Sequence, residues 1–293
     1  MILSIIIVNY NVKLLLRNCL DSVSRAIENI PAEVIIIDNA SCDNSISYLQ
    51  PMFPQFRYIS NPVNEGFAKA NNKGLTLVTG KLVLFLNPDT IVPADCFNKC
   101  ISFLNAHPDA GALGVKMING QGEFLKESKR GFPSPLSSLW KMTGITAMFP
   151  RSSLFGKYYL GHLDENANHE ADVLSGAFMM VKKEVLDRAG GFDERFFMYA
   201  EDIDLSYRIL RAGYKNYYFA GTTIIHYKGG STKKDLKYVR QFYKAMSQFV
   251  RKYYGNGLYS ILLDAGIRLF TLFSSLQVFF SWRTSRRAAA QLP

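Results

Sequence analysis

The chain has 293 residues, 48% hydrophobic and 20% charged. That balance allows a sizeable core and excludes a globally disordered chain, and the length fits one large domain with an appendage or two domains. The net charge of +10 is the excess of one stretch, residues 228–287, where twelve Lys or Arg face only Asp235 and Asp264; the residues before it balance at 22 of each sign.

Apolar runs of four to six residues alternate with longer amphipathic stretches as far as about residue 115. The pattern predicts strands at 3–8, 33–37, 56–60 and 81–86, with helices at 12–27, 44–50, 66–78 and 93–106 between them. Such alternation points to βαβ units, right-handed crossovers and a mostly parallel central sheet flanked by helices. The first eight residues are apolar but lack a basic start and are cut off by Asn9-Tyr10-Asn11, so a strand is expected there and no signal peptide. A further strand is expected at 111–115, and Asn119-Gly120-Gln121-Gly122 reads as a hairpin turn. Residues 128–170 lose clear periodicity and are expected to form long loops and short helices over a crevice, where a variable substrate would be met. Regularity returns with a strand at 172–181 and a helix at 183–189 ended by Gly190-Gly191. A helix at 201–212 stopped by Gly213 and strands at 215–219 and 222–227 follow. Residues 235–254 read as a basic amphipathic helix and 258–282 as an apolar one. Cys19, Cys42, Cys96 and Cys100 show neither CxxC spacing nor a neighbouring His cluster. They read as reduced thiols of an intracellular protein, not as a disulfide frame or zinc site.

Three hydrophobic strands end in polar residues: Ile5-Ile6-Ile7-Val8-Asn9, Val34-Ile35-Ile36-Ile37-Asp38-Asn39, and Val83-Leu84-Phe85-Leu86 followed by Asn87-Pro88-Asp89. Polar groups at the carboxyl ends of strands face the crevice where open α/β sheets bind ligands, the geometry of a nucleotide and metal site. Asp89 offers a carboxylate to a hard cation such as Mg2+ or Mn2+, which shares its shell with substrate phosphates. The bland alternative is a Pro-containing β-turn. Glu201, Asp202 and Asp204 open a helix, where acids complement the dipole and cap free N–H groups. The apolar run Phe196-Phe197-Met198-Tyr199-Ala200 before them also predicts partial desolvation and a raised affinity for a proton, which suits a general base acting on an alcohol. His226 is either a hydrogen-bonded structural residue or a ligand, and Lys228-Gly229-Gly230-Ser231 behind it supplies a cation and backbone N–H groups suited to phosphate oxygens. Gly66, in Asn64-Glu65-Gly66, either lets the backbone approach a ligand at a helix start or marks an ordinary loop-to-helix junction. Neither GxGxxG nor GxxxxGK[ST] occurs, which removes the main support for dehydrogenase and P-loop readings.

The basic stretch runs into aromatic and aliphatic residues, which points to an anionic membrane surface more than to nucleic acid. Residues 258–282 are long enough to span a bilayer, for which about 20 apolar residues suffice. Asp264, Arg268, Ser274, Ser275 and Gln277 favour instead an interfacial helix, with Phe279, Phe280 and Trp282 inward, or a helix packed on protein.

The segments SIIIVNYN, VIIIDNASCDNS, NEGFAKANNKG, LFLNPDT, LSGAFMMVKKEVLDRAGGFDERFFMYAEDIDLSYRILRAGY and IIHYKGGS resemble, in order and spacing, the successive motifs of glycosyltransferase family 2, and within it the rhamnosyltransferase-like branch of bacterial envelope enzymes. The resemblance covers residues 1–232. It implies an α/β GT-A fold with a catalytic domain at 1–232, divided into a nucleotide-binding half at 1–115 and an acceptor half at 116–232, and a helical tail at 233–293. It also implies a nucleotide-diphospho-sugar donor, Mg2+ or Mn2+, and inverting transfer of a sugar, rhamnose being one candidate, to a hydroxyl of a cell-envelope glycan or lipid-linked acceptor. Carried over by position, Asp38 would meet the donor base, and Asn9, Asn64, Gly66 and Asn71 would line the nucleoside pocket. Asp89 would hold the metal, with His226 completing its shell as in some relatives. Asp202 would be the general base of the xED motif, with Glu201 before it, and Asn87 stands where Asp is commoner. Lys228 would help hold the diphosphate. The expected location is cytoplasmic, peripheral at the inner face of the cell membrane. A sugar-phosphate nucleotidyltransferase is the rival enzyme class, disfavoured because Asn9-Tyr10-Asn11 stands where its Gly-rich basic loop belongs. A non-catalytic nucleotide-sugar-binding protein is the rival without turnover, disfavoured because binding needs no base.

Overall fold

Seven consecutive buried residues, Leu3–Asn9, form β1. A strand apolar on both faces requires cover on both. In this computed structural model, which describes residues 1–134, 136, 137, 140, 143–229, 236–255, 264–268 and 271, each face has it. Ile5 and Ile7 pack with Leu16 and Leu20 of α1 (Lys13–Ala26) and Phe97 of α4 (Cys96–Ala106). Ile6 and Val8 point the other way, to Ala68 and Ala70 of α3 (Phe67–Leu75) and to Leu205 and Ile209 of α7 (Glu201–Arg211). The helices fit because their apolar residues recur at helical spacing, as Leu16, Cys19, Leu20 and Val23 do in α1. On α3, a Cβ at Gly74 would lie 2.6 Å from the Ile6 side chain, so only glycine permits this closeness.

Parallel neighbours flank β1: β2 (Ala32–Asp38) on one side, with β3 (Arg57–Ser60) beyond it, and β4 (Leu82–Leu86) on the other. The helix α2 (Ser45–Leu49) lies in the β2–β3 crossover. Beyond β4 the sheet reverses direction. The strand β8 (Phe178–Lys182) pairs antiparallel with β4, and β6 (Ala110–Ile118) antiparallel with β8. The last long strand, β9 (Lys215–His226), runs parallel to β6 and carries two short antiparallel strands, β5 (Thr90–Ile91) and β7 (His169–Glu170). The spatial order is β3-β2-β1-β4-β8-β6-β9-β5. These directions put the carboxyl ends of β1, β2, β4, β6 and β9 and the amino end of β8 on one edge of the sheet.

Several sequence expectations change. The strand expected at 172–181 is only Phe178–Lys182. The backbone before it bonds elsewhere: Val173 bridges Arg130, Leu174 N–H donates to the Ser206 hydroxyl, and Gly176 N–H donates to Asp202. The strands expected at 215–219 and 222–227 are one strand, β9, whose register against β6 shifts between Phe219 and Thr223. The strands β5 and β7, of two residues each, are too short for any period to reveal. The irregular stretch contains α5 (Ile145–Met148) and short 3-10 turns at Lys126–Ser128 and Lys157–Tyr159. A buried lysine pins it, Lys129 Nζ donating to the carbonyls of Leu160 at 2.7 Å and Leu163 at 2.9 Å. The helix α6 (Lys183–Ala189) ends at Gly190, where φ is 78°.

The chain divides into two compact units, Met1–Glu194 with Glu201–Ser231, and Arg195–Ala200 with Thr232–Pro293. Residues 195–200, inside the stretch read as catalytic, thus fold with the second unit, whose main element is α8 (Leu236–Tyr254). Within that unit Tyr199 meets the Phe242 ring edge-on at 5.7 Å. Most of the apolar helix expected at 258–282 lies outside the described residues, as do Gly230, Ser231, Phe279, Phe280 and Trp282; residues 264–268 are helical. Among the described residues no helix is long and apolar enough to cross a membrane. All four cysteines are free. Cys19, Cys96 and Cys100 are buried and Cys42 is exposed, and burial raises the Cys19 thiol to about 12.

Phe85, fully buried in β4, meets Phe192 edge-on at 4.6 Å. Phe85→Ala is expected to lower unfolding free energy by about 3–5 kcal/mol, read from urea denaturation, because the cavity lies where neither sheet nor helix can collapse into it.

Candidate active site

The parallel register sets Asn9 opposite Asp38, and Asp38 opposite Ser60, in one row along the sheet edge. Asn9 Nδ2 donates to Asp38 Oδ1 at 2.7 Å, and Ser41 N–H donates to Asp38 Oδ2 at 3.0 Å. Both carboxylate oxygens are thereby fixed at the mouth of β1 and β2. Asn9 Oδ1 is buried without a hydrogen-bond partner, an acceptor available to a ligand N–H. The row continues through residues that sequence reasoning did not single out. Asn39 Nδ2 donates to the Gly66 carbonyl at 3.0 Å, Asn61 Nδ2 donates to Asn39 Oδ1 at 2.8 Å, and Lys73 Nζ donates to Asn61 Oδ1 at 2.5 Å. Asn64 Oδ1 accepts from Gly66 N–H at 2.9 Å, and Gly66 takes φ 85° as it enters α3, a conformation that a side chain would strain. Asn71 does not join this network: it is buried, and its Nδ2 donates to the Phe67 carbonyl one turn back. Just beyond Ser41, Cys42 N–H donates to Asn11 Oδ1 at 2.7 Å.

Asp89 and His226 meet because β5 pairs with β9, Thr90 opposite His226, and Tyr227 N–H donates to the Asp89 carbonyl at 2.8 Å. Both side chains are buried, with His226 Nε2 3.3 Å from Asp89 Oδ1. The two atoms are close but not aligned as a hydrogen bond, so Asp89 Oδ1 remains a buried acceptor without a partner, as does His226 Nδ1. A buried carboxylate oxygen facing an imidazole, neither one satisfied by the other, fits a divalent cation shared between them. Among the described residues no group of three or more His, Cys, Asp or Glu is arranged to hold a metal ion, so a cation between Asp89 and His226 would take the rest of its shell from substrate oxygens and water. Asn87 is tied by its backbone, its N–H donating to the Ala177 carbonyl at 3.0 Å and its carbonyl accepting from the Thr90 hydroxyl at 2.8 Å. Lys228 is exposed and pairs with Glu127 at 2.5 Å. Burial works to raise the Glu127 carboxyl, but the hydrogen bond and charge of Lys228, with His226 behind them, hold it below its ordinary value.

Asp202 is bonded to the loop that also receives Asn87, two residues before Asp89. Gly176 N–H donates to Asp202 Oδ2 at 3.2 Å, while the next residue, Ala177, accepts from Asn87. Arg130, a buried residue from the irregular stretch, donates to the same Oδ2 at 2.5 Å and to the Leu174 carbonyl at 2.9 Å. Asp202 Oδ1 accepts from Ile203 N–H at 2.8 Å, and the side chain stays 14% exposed. Glu201 is nearly closed off, and its Oε2 has no hydrogen-bond partner. Burial, and then the Asp202 charge, raise the Glu201 carboxyl from 4.5 to about 8. The raised proton affinity expected of this motif therefore falls on Glu201, while Asp202 is ion-paired. Asp204 is buried and paired with Arg208 at 2.8 Å, a helix-stabilising contact. The backbone enters α7 through Tyr199 and Ala200, at φ 72° and 67°, a left-handed pair that costs about 1–2 kcal/mol per residue outside glycine.

The model of the family Glycosyl transferase family 2 matches residues 4–190. The chain belongs to that family. Among curated relatives, N-acetylglucosaminyl-diphospho-decaprenol L-rhamnosyltransferase of Mycobacterium tuberculosis is 28% identical over 247 residues, covering 80% of this chain and 78% of that protein. Rhamnosyltransferase WbbL of Escherichia coli K12 is 28% identical over 222 residues, covering 71% and 79%. Among solved structures, residues 1–349 of Staphylococcus aureus TarS superpose with a TM-score of 0.59 at 16% identity, covering 100% of this chain and 76% of that one. The mannosyltransferase PcManGT from Pyrobaculum calidifontis, in complex with GDP-Man and Mn2+, gives a TM-score of 0.57 at 18% identity, covering 99% and 76%. The fold is therefore GT-A, and this family 2 member is a glycosyltransferase.

In this glycosyltransferase the sheet edge gathers Asn9, Asp38 and Gly66 at one end and Asp89, His226 and Asp202 towards the other. Asn39, Asn61, Arg130 and Glu127 complete it. Asn61 follows β3 as Asn39 follows β2, so the strand-end rule extended to β3 would have found it. Nothing in the sequence around them marks Glu127, just before the aperiodic stretch, or Arg130 within it. With Glu201 at about 8 in the native state against 4.5 ordinarily, the folded protein keeps a proton that the unfolded chain releases, so this residue makes stability fall as pH rises through that window. Glu201→Gln is expected to flatten the decline, which urea midpoints measured across the window will show.

Proposed function

We propose that the protein transfers a sugar with inversion from a nucleotide-diphospho-sugar to a hydroxyl of a cell-envelope glycan or lipid-linked acceptor, rhamnose being the sugar favoured by the names of its relatives. What supports this reading is that the Asn87-Pro88-Asp89 strand end and Asp202 bond to adjoining peptides of the Ser175-Gly176-Ala177 loop, through Asn87 N–H and Gly176 N–H. One carboxylate can serve the leaving group while the other serves the attacking alcohol, as a single in-line displacement requires.

Asp38 and Asn9 would present fixed acceptors to the N–H groups of the donor base, with the unpartnered Asn9 Oδ1 among them. Asp89 and His226 would hold the cation. When bound, Mg2+ or Mn2+ supplies positive charge to the departing diphosphate. Lys228, exposed and held beside His226 by Glu127, can add its ammonium to the same oxygens. Asp202 would take the acceptor proton. Arg130 and Gly176 N–H fix the orientation of Asp202 Oδ2, which supports a preorganised base. Glu201, protonated at neutral pH, keeps a second negative charge away from it. The lysines and arginines of the C-terminal unit support peripheral attachment to an anionic membrane from the cytoplasm.

A second reading rests on the Glu201 carboxyl at about 8, closer to the pH at which an enzymic base works best. The two readings separate by substitution. Asp202→Asn is expected to lower kcat about a hundred- to ten-thousand-fold with donor affinity retained, and Glu201→Gln to leave most turnover intact. The reverse ranking assigns the base to Glu201. Asp89→Asn is expected to abolish the thermal shift that nucleotide-sugar with Mn2+ produces, leaving melting without ligand unchanged; a preserved metal-dependent shift removes Asp89 from the cation site.

A further inference from the structure

The C-terminal unit contains a hollow of about 380 Å3 along one face of α8. Arg240, Lys244, Ser247 and Arg251 line it from the helix, spaced at i, i+4, i+7 and i+11, which is one continuous stripe. Asp264 and Arg268, from the helical residues 264–268, form another part of the wall.

Four cations thus face one acid. Asp264 accepts from the Ser247 hydroxyl on one oxygen. On the other it pairs with Arg251 at 2.9 Å and Arg268 at 3.3 Å. That single charge aims two guanidinium groups at the hollow without neutralising both. Arg240 and Lys244, exposed and four residues apart, make no hydrogen bond or ion pair among the described residues. Like charges at this spacing destabilise a helix, and adding two more cations compounds the repulsion. The arrangement becomes favourable when an anion of more than one charge enters. Guanidinium forks match the oxygens of phosphate in pairs, an ammonium adds a point charge, and hydroxyls supply further donors. A hollow of this volume bounded by two helical segments suits a compact group, not a polymer backbone.

We propose that this hollow binds a phosphate group carrying two negative charges, a phosphomonoester or diphosphate, whether it belongs to a soluble molecule or to a lipid headgroup. The site is independent of sugar transfer, so either assignment stands or falls alone.

The test uses the full chain with chelator present and two probes, pyrophosphate titrated calorimetrically and flotation with phosphatidylcholine vesicles containing phosphatidic acid. Arg240→Gln with Lys244→Gln is expected to weaken binding at least about tenfold without moving the melting temperature, both residues being exposed. Asp264→Asn is expected to strengthen binding severalfold by freeing Arg251 and Arg268, a sign that damage to the fold would not produce. A response to both probes supports the shared phosphate chemistry, to vesicles alone a lipid headgroup, and to pyrophosphate alone a soluble ligand. Native protein that binds neither probe, or variants that bind both as the native chain does, overturn the proposal.

Discussion

The antiparallel joint between β4 and β8 is the contact on which the site depends. In the parallel half of the sheet, each strand delivers its polar terminus to the same edge and nothing crosses that edge. At the joint, Leu86 lies opposite Phe178, and the chain entering β8 arrives where β4 leaves. Asn87 N–H is satisfied by Ala177, and one residue earlier Gly176 N–H reaches Asp202. Two carboxylates 113 positions apart in sequence, Asp89 and Asp202, are thus connected by consecutive peptides. A Cβ at Gly176 would meet both Asp202 and the Phe67 ring at 3.5 Å, so the same loop also seats the first residue of α3.

The acids at this edge are held in three distinct electrostatic states by their neighbours. Asp38 has both oxygens occupied by uncharged donors and is thereby fixed in orientation. Asp202 is half-buried against a guanidinium, which holds it in place and balances its charge. Glu201 is buried beside the Asp202 charge with its Oε2 lacking a hydrogen-bond partner, and so favours its neutral form. Neutrality of Glu201 spares Asp202 a second anion that would compete for Arg130. Asp89 differs from all of them in facing a single imidazole with an oxygen left open, the arrangement most readily completed by something from outside the chain.

Much of this could be read in advance where the physics is local. Strands buried on both faces announce themselves by composition, and the residue after each last apolar position is placed by geometry alone, which is why Asn9, Asp38 and Asp89 were legible. The βα alternation gave the parallel half for the same reason. The reversal at β8 was not legible, because antiparallel insertion depends on which strand sits beside β4, and no period encodes that. β5 and β7 escaped because pairing with β9, not propensity, makes two residues a strand. Arg130 and Glu127 escaped because they find their partners across 72 and 101 positions of sequence respectively, and neither lies in a strand or a long helix. Asn71, matched by motif position, is buried and bonds back to its own helix through the Phe67 carbonyl, a contact that no strand-end pattern signals.

Cys42 has a consequence of a practical kind. Three thiols are sealed in the core, and the fourth lies exposed on the loop whose Ser41 holds Asp38 and whose backbone is held by Asn11. Native chemistry therefore leaves one addressable sulfur, at the rim of the proposed base pocket. A maleimide dye attached there would need no engineered cysteine and no removal of the others, and its emission would be sensitive to whatever enters beside Asp38.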